Sequence, residues 1–322
     1  MKINVATISF LVLLSGCDKP ASKSSEVKVE KKEKSTELSE FINKVKSDLV
    51  YIKGGEFQMG DFGIEHYKEH LALDANPDSK PLHKVEITTF SISKFKTSNE
   101  DYQFYLKQIA VEMRKAGNSL SQADWDSLNR LKNMPAHGDW YDADKYCSWL
   151  AKVTNMPFSL ATEAQWEYAA RSRGQYLVVP TNDGTWKVEN GKGINISTDQ
   201  TREEWAENNQ ISLSSLTAMP VDNYPPNPLG IYDMAGNGFE WVKDWYDPEY
   251  YEYSPVKDPQ GPEKPTYINP YGKYSKVMRA VDLSGPGRGI SIVRHSQTPD
   301  NNGRLPLSNT FRCVVNSSSP IK

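Results

Sequence analysis

Gly230-Ile231-Tyr232-Asp233-Met234-Ala235-Gly236-Asn237-Gly238-Phe239-Glu240-Trp241 packs glycines, an Asn, carboxylates and aromatics into a dozen residues. That composition suits neither a regular helix nor a plain strand. A tight glycine turn followed by Glu-Trp places a carboxylate beside a buried indole. Asn237 and Glu240 are then expected to converge on one hard cation through oxygen ligands.

Outward from this window, the chain breaks into short periodic pieces. Asp48 to Gly60 alternates apolar and polar residues through Val50, Ile52, Phe57 and Met59, and reads as a β-hairpin turning at Gly54-Gly55. His83 to Ser93 gives another strand signal. Ser98 with Asp101 makes a capping box for a helix through Tyr102, Tyr105, Leu106 and Ile109. Residues 141–153 read as an amphipathic helix with Tyr146, Trp149, Leu150 and Val153 inward. Thr162 with Gln165 caps a third helix, which turns Trp166, Ala169 and Ala170 toward the core. Periodicity fades over 174–230, where loops are expected, and returns in late strands at Val277–Ala280 and Thr310–Val315. Eight Trp and 17 Tyr in a chain of mean hydropathy −0.65 point to a loop-rich fold pinned by aromatics.

Several of these pieces carry recognisable wording: Pro81-Leu82-His83-Lys84-Val85, Thr97-Ser98-Asn99 with Tyr102, Trp140-Tyr141-Asp142-Ala143 and Tyr146-Cys147-Ser148-Trp149. To these add Leu160 to Arg171 (LATEAQWEYAAR), the opening window, and Phe311-Arg312-Cys313. In this order they resemble the formylglycine-generating enzyme (sulfatase-modifying factor) family, whose usual window is close to G-L-Y-D-M-x-G-N-V-x-E-W. Gly238 stands where that family often has Val. The resemblance implies an α+β domain over 46–316 with the family's C-type-lectin-like fold and little regular secondary structure.

One departure decides the expected chemistry. Active members resemble R-G-G-S-x-x-C-x-x-x-x-C near the C-terminus, where the cysteine pair binds Cu(I); soft thiolates suit that ion. Here the stretch reads Arg279-Ala280-Val281-Asp282-Leu283-Ser284-Gly285-Pro286-Gly287-Arg288-Gly289-Ile290, without either cysteine. Copper is therefore not expected. A metal-dependent oxidoreductase with altered chemistry is the alternative, using a cleft of Ser284, Arg288, Arg294 and His295. Structural calcium is the cofactor the resemblance still implies, at Asn237 and Glu240 and at a second site containing Asn195 and Ile196. His66, His70 and His83 read as surface or loop residues rather than a metal cluster.

Composition and cysteines set the address. Lys2, the apolar run Ile3–Leu14 and Leu14-Ser15-Gly16-Cys17 read as a lipoprotein signal peptide over 1–16, with Cys17 lipidated. Asp18 resembles an inner-membrane retention signal, so the expected location is periplasm-facing and membrane-anchored. Residues 17–45 are rich in Lys, Glu and Ser and read as a flexible tether, and 317–322 as a tail. In an exported domain the other two cysteines, Cys147 and Cys313, are expected to form a disulfide, two unpaired buried thiols being the alternative. Net charge −3 and pI near 6.0 leave no electrostatic footprint for nucleic acid. The expected function is a non-catalytic envelope lipoprotein that binds a protein partner or small ligand in a regulatory, signalling or self-protection role.

Overall fold

The computed structural model describes residues 22–114, 121–211, 218–281, 290–301 and 308–321, with side chains from residue 35 onward. The chain divides into two compact units, Met1–Lys44 and Val45–Lys322. Where the sequence reading expects a flexible tether, the backbone is helical: α1 runs Ser22–Ser47. The segment contains no Gly or Pro and is rich in Lys and Glu, which lose little rotamer freedom in a helix. Cys17 and the apolar run before it lie outside the described residues.

The alternating stretch from residue 49 does form strands, but not the expected hairpin. β1 (Leu49–Ile52) pairs antiparallel with β4 (Phe90–Ser93), and β2 (Gly55–Met59) with β3 (His83–Ile87). The two segments thus run as one bent ribbon, 49–59 against 83–93. The bend is Gly54, not a turn. A Cβ there would lie 2.2 Å from the Ile87 carbonyl oxygen and 2.7 Å from the Thr89 nitrogen, so only glycine lets the ribbon fold this tightly.

The ribbon feeds one of two four-stranded sheets. Its order is β1-β4-β12-β5, with β5 at Phe158–Leu160 and β12 at Cys313–Val315. Val314 faces Ile92 on one side and Ser159 on the other, so the last strand fills the centre. The other sheet has the order β10-β9-β8-β11 (His295–Gln297, Lys276–Arg279, Phe239–Trp245, Asn309–Thr310). β8 begins inside the opening window, so Glu240 and Trp241 sit on a strand. The late Thr310–Val315 signal divides, because Phe311 and Arg312 step from one sheet to the other.

Helices pack around these sheets. Ser98 accepts the Asp101 N–H to start α3 (Asn99–Ile109), and Asp139 caps α5 (Trp140–Thr154). At α6 (Glu163–Ala170) the Thr162–Gln165 capping box closes in both directions. α4 (Gln122–Asn129) and α7 (Asp199–Asn208) were not foreseen; α7 buries only Arg202 and Ala206, too few for an apolar period. The short helices α2 (Gly63–His66) and α8 (Tyr250–Tyr253), a 3-10 turn at Pro77–Ser79 and the hairpin β6–β7 (Val188–Glu189, Lys192–Gly193) complete the elements among the described residues. The main core joins Ile52, Phe57, Val85 and Phe90 of the ribbon with Trp166, Val242, Val277 and Val314. Cys147 on α5 is bonded to Cys313 on β12, as the exported-domain reading expects.

Candidate functional site

Glu240 emerges from the glycine turn fully buried, and every lone pair it has is used. Its Oε1 accepts from Lys96 Nζ at 2.9 Å and Arg312 Nη2 at 2.7 Å; Oε2 accepts from Arg312 Nε at 2.8 Å and Trp166 Nε1 at 3.1 Å. Burial opposes the charge, but Arg312 and then Lys96 outweigh it and hold the carboxyl down at about 2. The indole beside this carboxylate is Trp166, not the adjacent Trp241, whose Nε1 donates to the Gly138 carbonyl. Gly238 explains its own departure from Val: φ is +98° and a Cβ would sit 2.7 Å from the Ser308 carbonyl oxygen.

A second buried charge chain runs along α6, all eight of whose residues are buried. Glu163 accepts from Arg294 Nε at 2.7 Å and Nη2 at 3.0 Å, and from Arg279 Nη1 at 2.9 Å. One turn on, Glu167 accepts from Arg279 Nη2 at 3.0 Å and Arg171 Nη1 at 2.8 Å. Asp244 sits at the helix start, its Oδ2 accepting the Glu163 N–H at 2.9 Å.

Among the described residues no cation is bonded to Asp244. Burial, reinforced by Glu163, pushes its carboxyl from 3.8 up to about 7. A raised acid contributes stability that is complete below its unfolded value and lost as pH rises through its folded value. The window here is 3.8 to about 7. Asp244→Asn keeps the acceptor for the Glu163 N–H and cannot ionise. Its melting temperature is expected to fall less than the parent's between pH 5 and pH 8, read by circular dichroism; parallel curves would refute this.

The expected calcium pairing of Asn237 with Glu240 does not form. Asn237, at φ +60°, turns its Oδ1 to the Met219 N–H at 2.7 Å and its Nδ2 to the Met219 carbonyl and Asp233 Oδ2. Glu240, saturated by cations and an indole, has no lone pair left for a metal. Instead Asn237 lines a small pocket of about 20 Å³ with Asn195, Ile196 and Asp233, joining residues from the two expected sites. Burial pushes Asp233 up to about 7 despite Lys96. Asn195 Oδ1 accepts the Lys187 N–H at 2.8 Å. One carboxylate with both amide oxygens engaged falls short of the about 6–8 oxygens calcium takes. The side chains as placed do not fit that ion.

The expected cleft fares differently residue by residue. Arg294 is buried in the Glu163 ion pair and also donates to the Asp78 and Asp247 carbonyls, so it is structural rather than cleft-lining. His295 packs edge-on against Phe239, centroids 4.8 Å apart. Ser284 and Arg288 lie outside the described residues. His66 stacks on Tyr176 at 3.9 Å and His83 lies against Tyr251 at 4.6 Å, so each ring packs on its own tyrosine. Among the described residues, no three His, Cys, Asp or Glu side chains gather as a metal set.

Sequence reasoning missed the charge hubs. In the sequence Glu163 and Glu167 stand as motif letters, although two carboxylates one turn apart on a largely apolar helix are signal enough. Lys276 carried less of a signal. Its Nζ lies 4.0 Å from the Trp140 ring centroid and 3.9 Å from that of Trp245, and burial lowers its pKa to about 8.

Comparison with known proteins identifies the fold on which these residues sit. The sulfatase-modifying factor enzyme 1-like domain profile matches residues 34–315. Formylglycine-generating enzyme from Streptomyces coelicolor is 28% identical over 313 residues, covering 82% of this chain and 88% of its own. Serine/threonine-protein kinase pkn1 from Chlamydia pneumoniae is 29% identical over 282 residues and 84% of this chain; the chain spans only 38% of that relative's length. Among solved structures, PvdO from Pseudomonas aeruginosa superposes with a TM-score of 0.58 at 24% identity, over 83% of this chain and 93% of PvdO.

Proposed function

This chain belongs to the sulfatase-modifying factor enzyme 1-like domain family, and on that premise we propose that it is a non-catalytic binding protein of the bacterial envelope. It is anchored through lipid on Cys17 and holds a protein partner or ligand through the folded domain. The cysteine count carries the reading. The chain has three cysteines; one stands in the lipobox and the other two are joined to each other. Nothing remains to build the thiolate pair on which Cu(I) chemistry in the resembled enzymes depends. The rest of the family framework is retained, which favours a scaffold kept for binding. The lipobox supports the envelope address, since a lipid-modified Cys17 ahead of a Lys/Glu-rich segment would hold the domain at a membrane surface.

The test uses the full-length lipoprotein captured from gently crosslinked envelopes, beside a Cys17→Ala variant, with the thiol-peptide oxidation assay run on the same preparations. One partner recovered in fixed stoichiometry, membrane association lost in Cys17→Ala and no aldehyde product are the expected results. Copper-dependent conversion of a cysteine peptide to an aldehyde would overturn the proposal.

A further inference from the structure

A polar cleft among the described residues has no role in the reading above. It measures about 500 Å³ and opens where the ribbon bend, the start of α6 and the chain after β12 meet. That size falls within the range of about 300–1,000 Å³ typical of small-molecule sites. Its lining is unusual for such a site, because Thr, Ser, Gln and Asn side chains surround a single Lys and a single Asp, with no aromatic or large aliphatic side chain.

Two hydrogen-bonded walls fix these groups. On one, Gln165 Nε2 donates to Asn316 Oδ1 at 2.8 Å and Asn316 Nδ2 donates to Ser159 Oγ at 3.1 Å. Gln165 is itself locked by the capping box, its Oε1 accepting the Thr162 N–H. On the other wall, Asp258 accepts from the Thr88 N–H at 2.7 Å and from its hydroxyl at 2.6 Å. Gln260 then donates to the Asp258 carbonyl and accepts from Lys243 Nζ at 3.1 Å. The polar groups are thus positioned before any ligand arrives, which lowers the ordering cost of binding.

What the walls leave over defines the ligand. An ammonium has three donors and an amide NH₂ has two, so Lys243 and Asn316 each keep N–H capacity facing the cleft. The Gln260 oxygen and the hydroxyls can still accept. At the α6 start the Glu163 and Gln165 N–H groups are already taken, by Asp244 and Thr162, and are not available to an anion. Lys243 is balanced by Asp258. We infer that this cleft binds a neutral, hydroxyl-rich small molecule, a saccharide of one or two rings, through donors and acceptors alternating along its two walls. The assignment goes beyond the partner-binding role and stands or falls separately from it.

The test is saturation-transfer NMR on the full chain with cellobiose, maltose and N,N′-diacetylchitobiose, and with inorganic phosphate as the charged competitor. Saturable binding of at least one sugar, unaffected by equimolar phosphate, is expected. It should weaken about tenfold in Lys243→Met and in Gln260→Ala, each losing a hydrogen bond to the ligand. Tyr271→Ser, at a hairpin tip 83% exposed and not part of the cleft lining, should bind like the parent. Both cleft substitutions lie on exposed side chains, so a melting temperature close to the parent's confirms that the fold is intact. Absence of saturable binding by all three sugars overturns the inference, as does phosphate binding that excludes them. Either result leaves the envelope capture experiment to decide the partner role alone.

Discussion

Glu240→Gln is expected to lower the unfolding free energy by about 3–5 kcal/mol, the range for breaking a buried ion pair from one side. The substitution is nearly isosteric, so packing is preserved while the charge is removed. Lys96 and Arg312, both fully buried, are left facing each other with a neutral amide between them. The amide also brings N–H donors to a site where every neighbour is already a donor. Urea unfolding of the variant beside Glu56→Gln gives the comparison, since Glu56 pairs with Lys84 at 2.8 Å on the surface. That exposed pair should be worth less than about 1 kcal/mol. Equal losses in the two variants would mean that the knot does not hold the sheet.

The same knot sets an acid limit. Because the folded carboxyl is held down at about 2 against 4.5 ordinarily, its contribution is complete above 4.5 and is lost as pH falls toward 2. Asp244 acts in the opposite sense over 3.8 to about 7. The two effects together favour mildly acidic solution over neutral.

Removing the Cys147–Cys313 bond is the second large effect. The bond joins residues 166 positions apart, so it closes most of the domain into one loop and restricts the unfolded chain accordingly. Cys147→Ser with Cys313→Ser is expected to cost about 2–5 kcal/mol, with a matching drop in the urea midpoint. Dithiothreitol should bring the parent to the same midpoint and leave the double variant unmoved. If the reductant changes neither protein, the bond is absent in solution and the thiol reading returns.

Much of the frame was legible because it depends on local chemistry. Ser98 with Asp101 and Thr162 with Gln165 announce helix starts through side chains that satisfy backbone N–H groups, and both caps are present. Strand alternation at 83–93 is equally local. The pairing of strands was not legible: Gly54-Gly55 reads as a turn, and only its close approach to Ile87 and Thr89 shows that it is a bend in a ribbon. α7 escaped because its inward face is Arg202 and Ala206, which no hydrophobic period detects.

The site was harder for a related reason. Asn237 and Glu240 are three residues apart, and oxygen ligands at that spacing suggest a shared cation. Yet Asn237 sits in left-handed backbone and Glu240 opens a strand, so their side chains diverge toward Met219 and toward Lys96 with Arg312. The cations that claim Glu240 come from positions 96 and 312, a separation that spacing rules cannot bridge. Family wording supplied the correct fold, while the partners of each charge had to come from three dimensions.

The position of β12 has a consequence for how the protein is made. A chain emerges in order from its N-terminus, and β4 and β5 are complete long before residue 313. Their shared neighbour arrives last, so the sheet has a vacant lane during most of synthesis, and the ribbon edge and the β5 edge stay open toward each other. Long-range pairing of this kind is slow to form. The domain therefore commits to its native topology only once its final strand is available, and a chain cut short before Cys313 would retain two unprotected strand edges, the arrangement most prone to pair with another molecule.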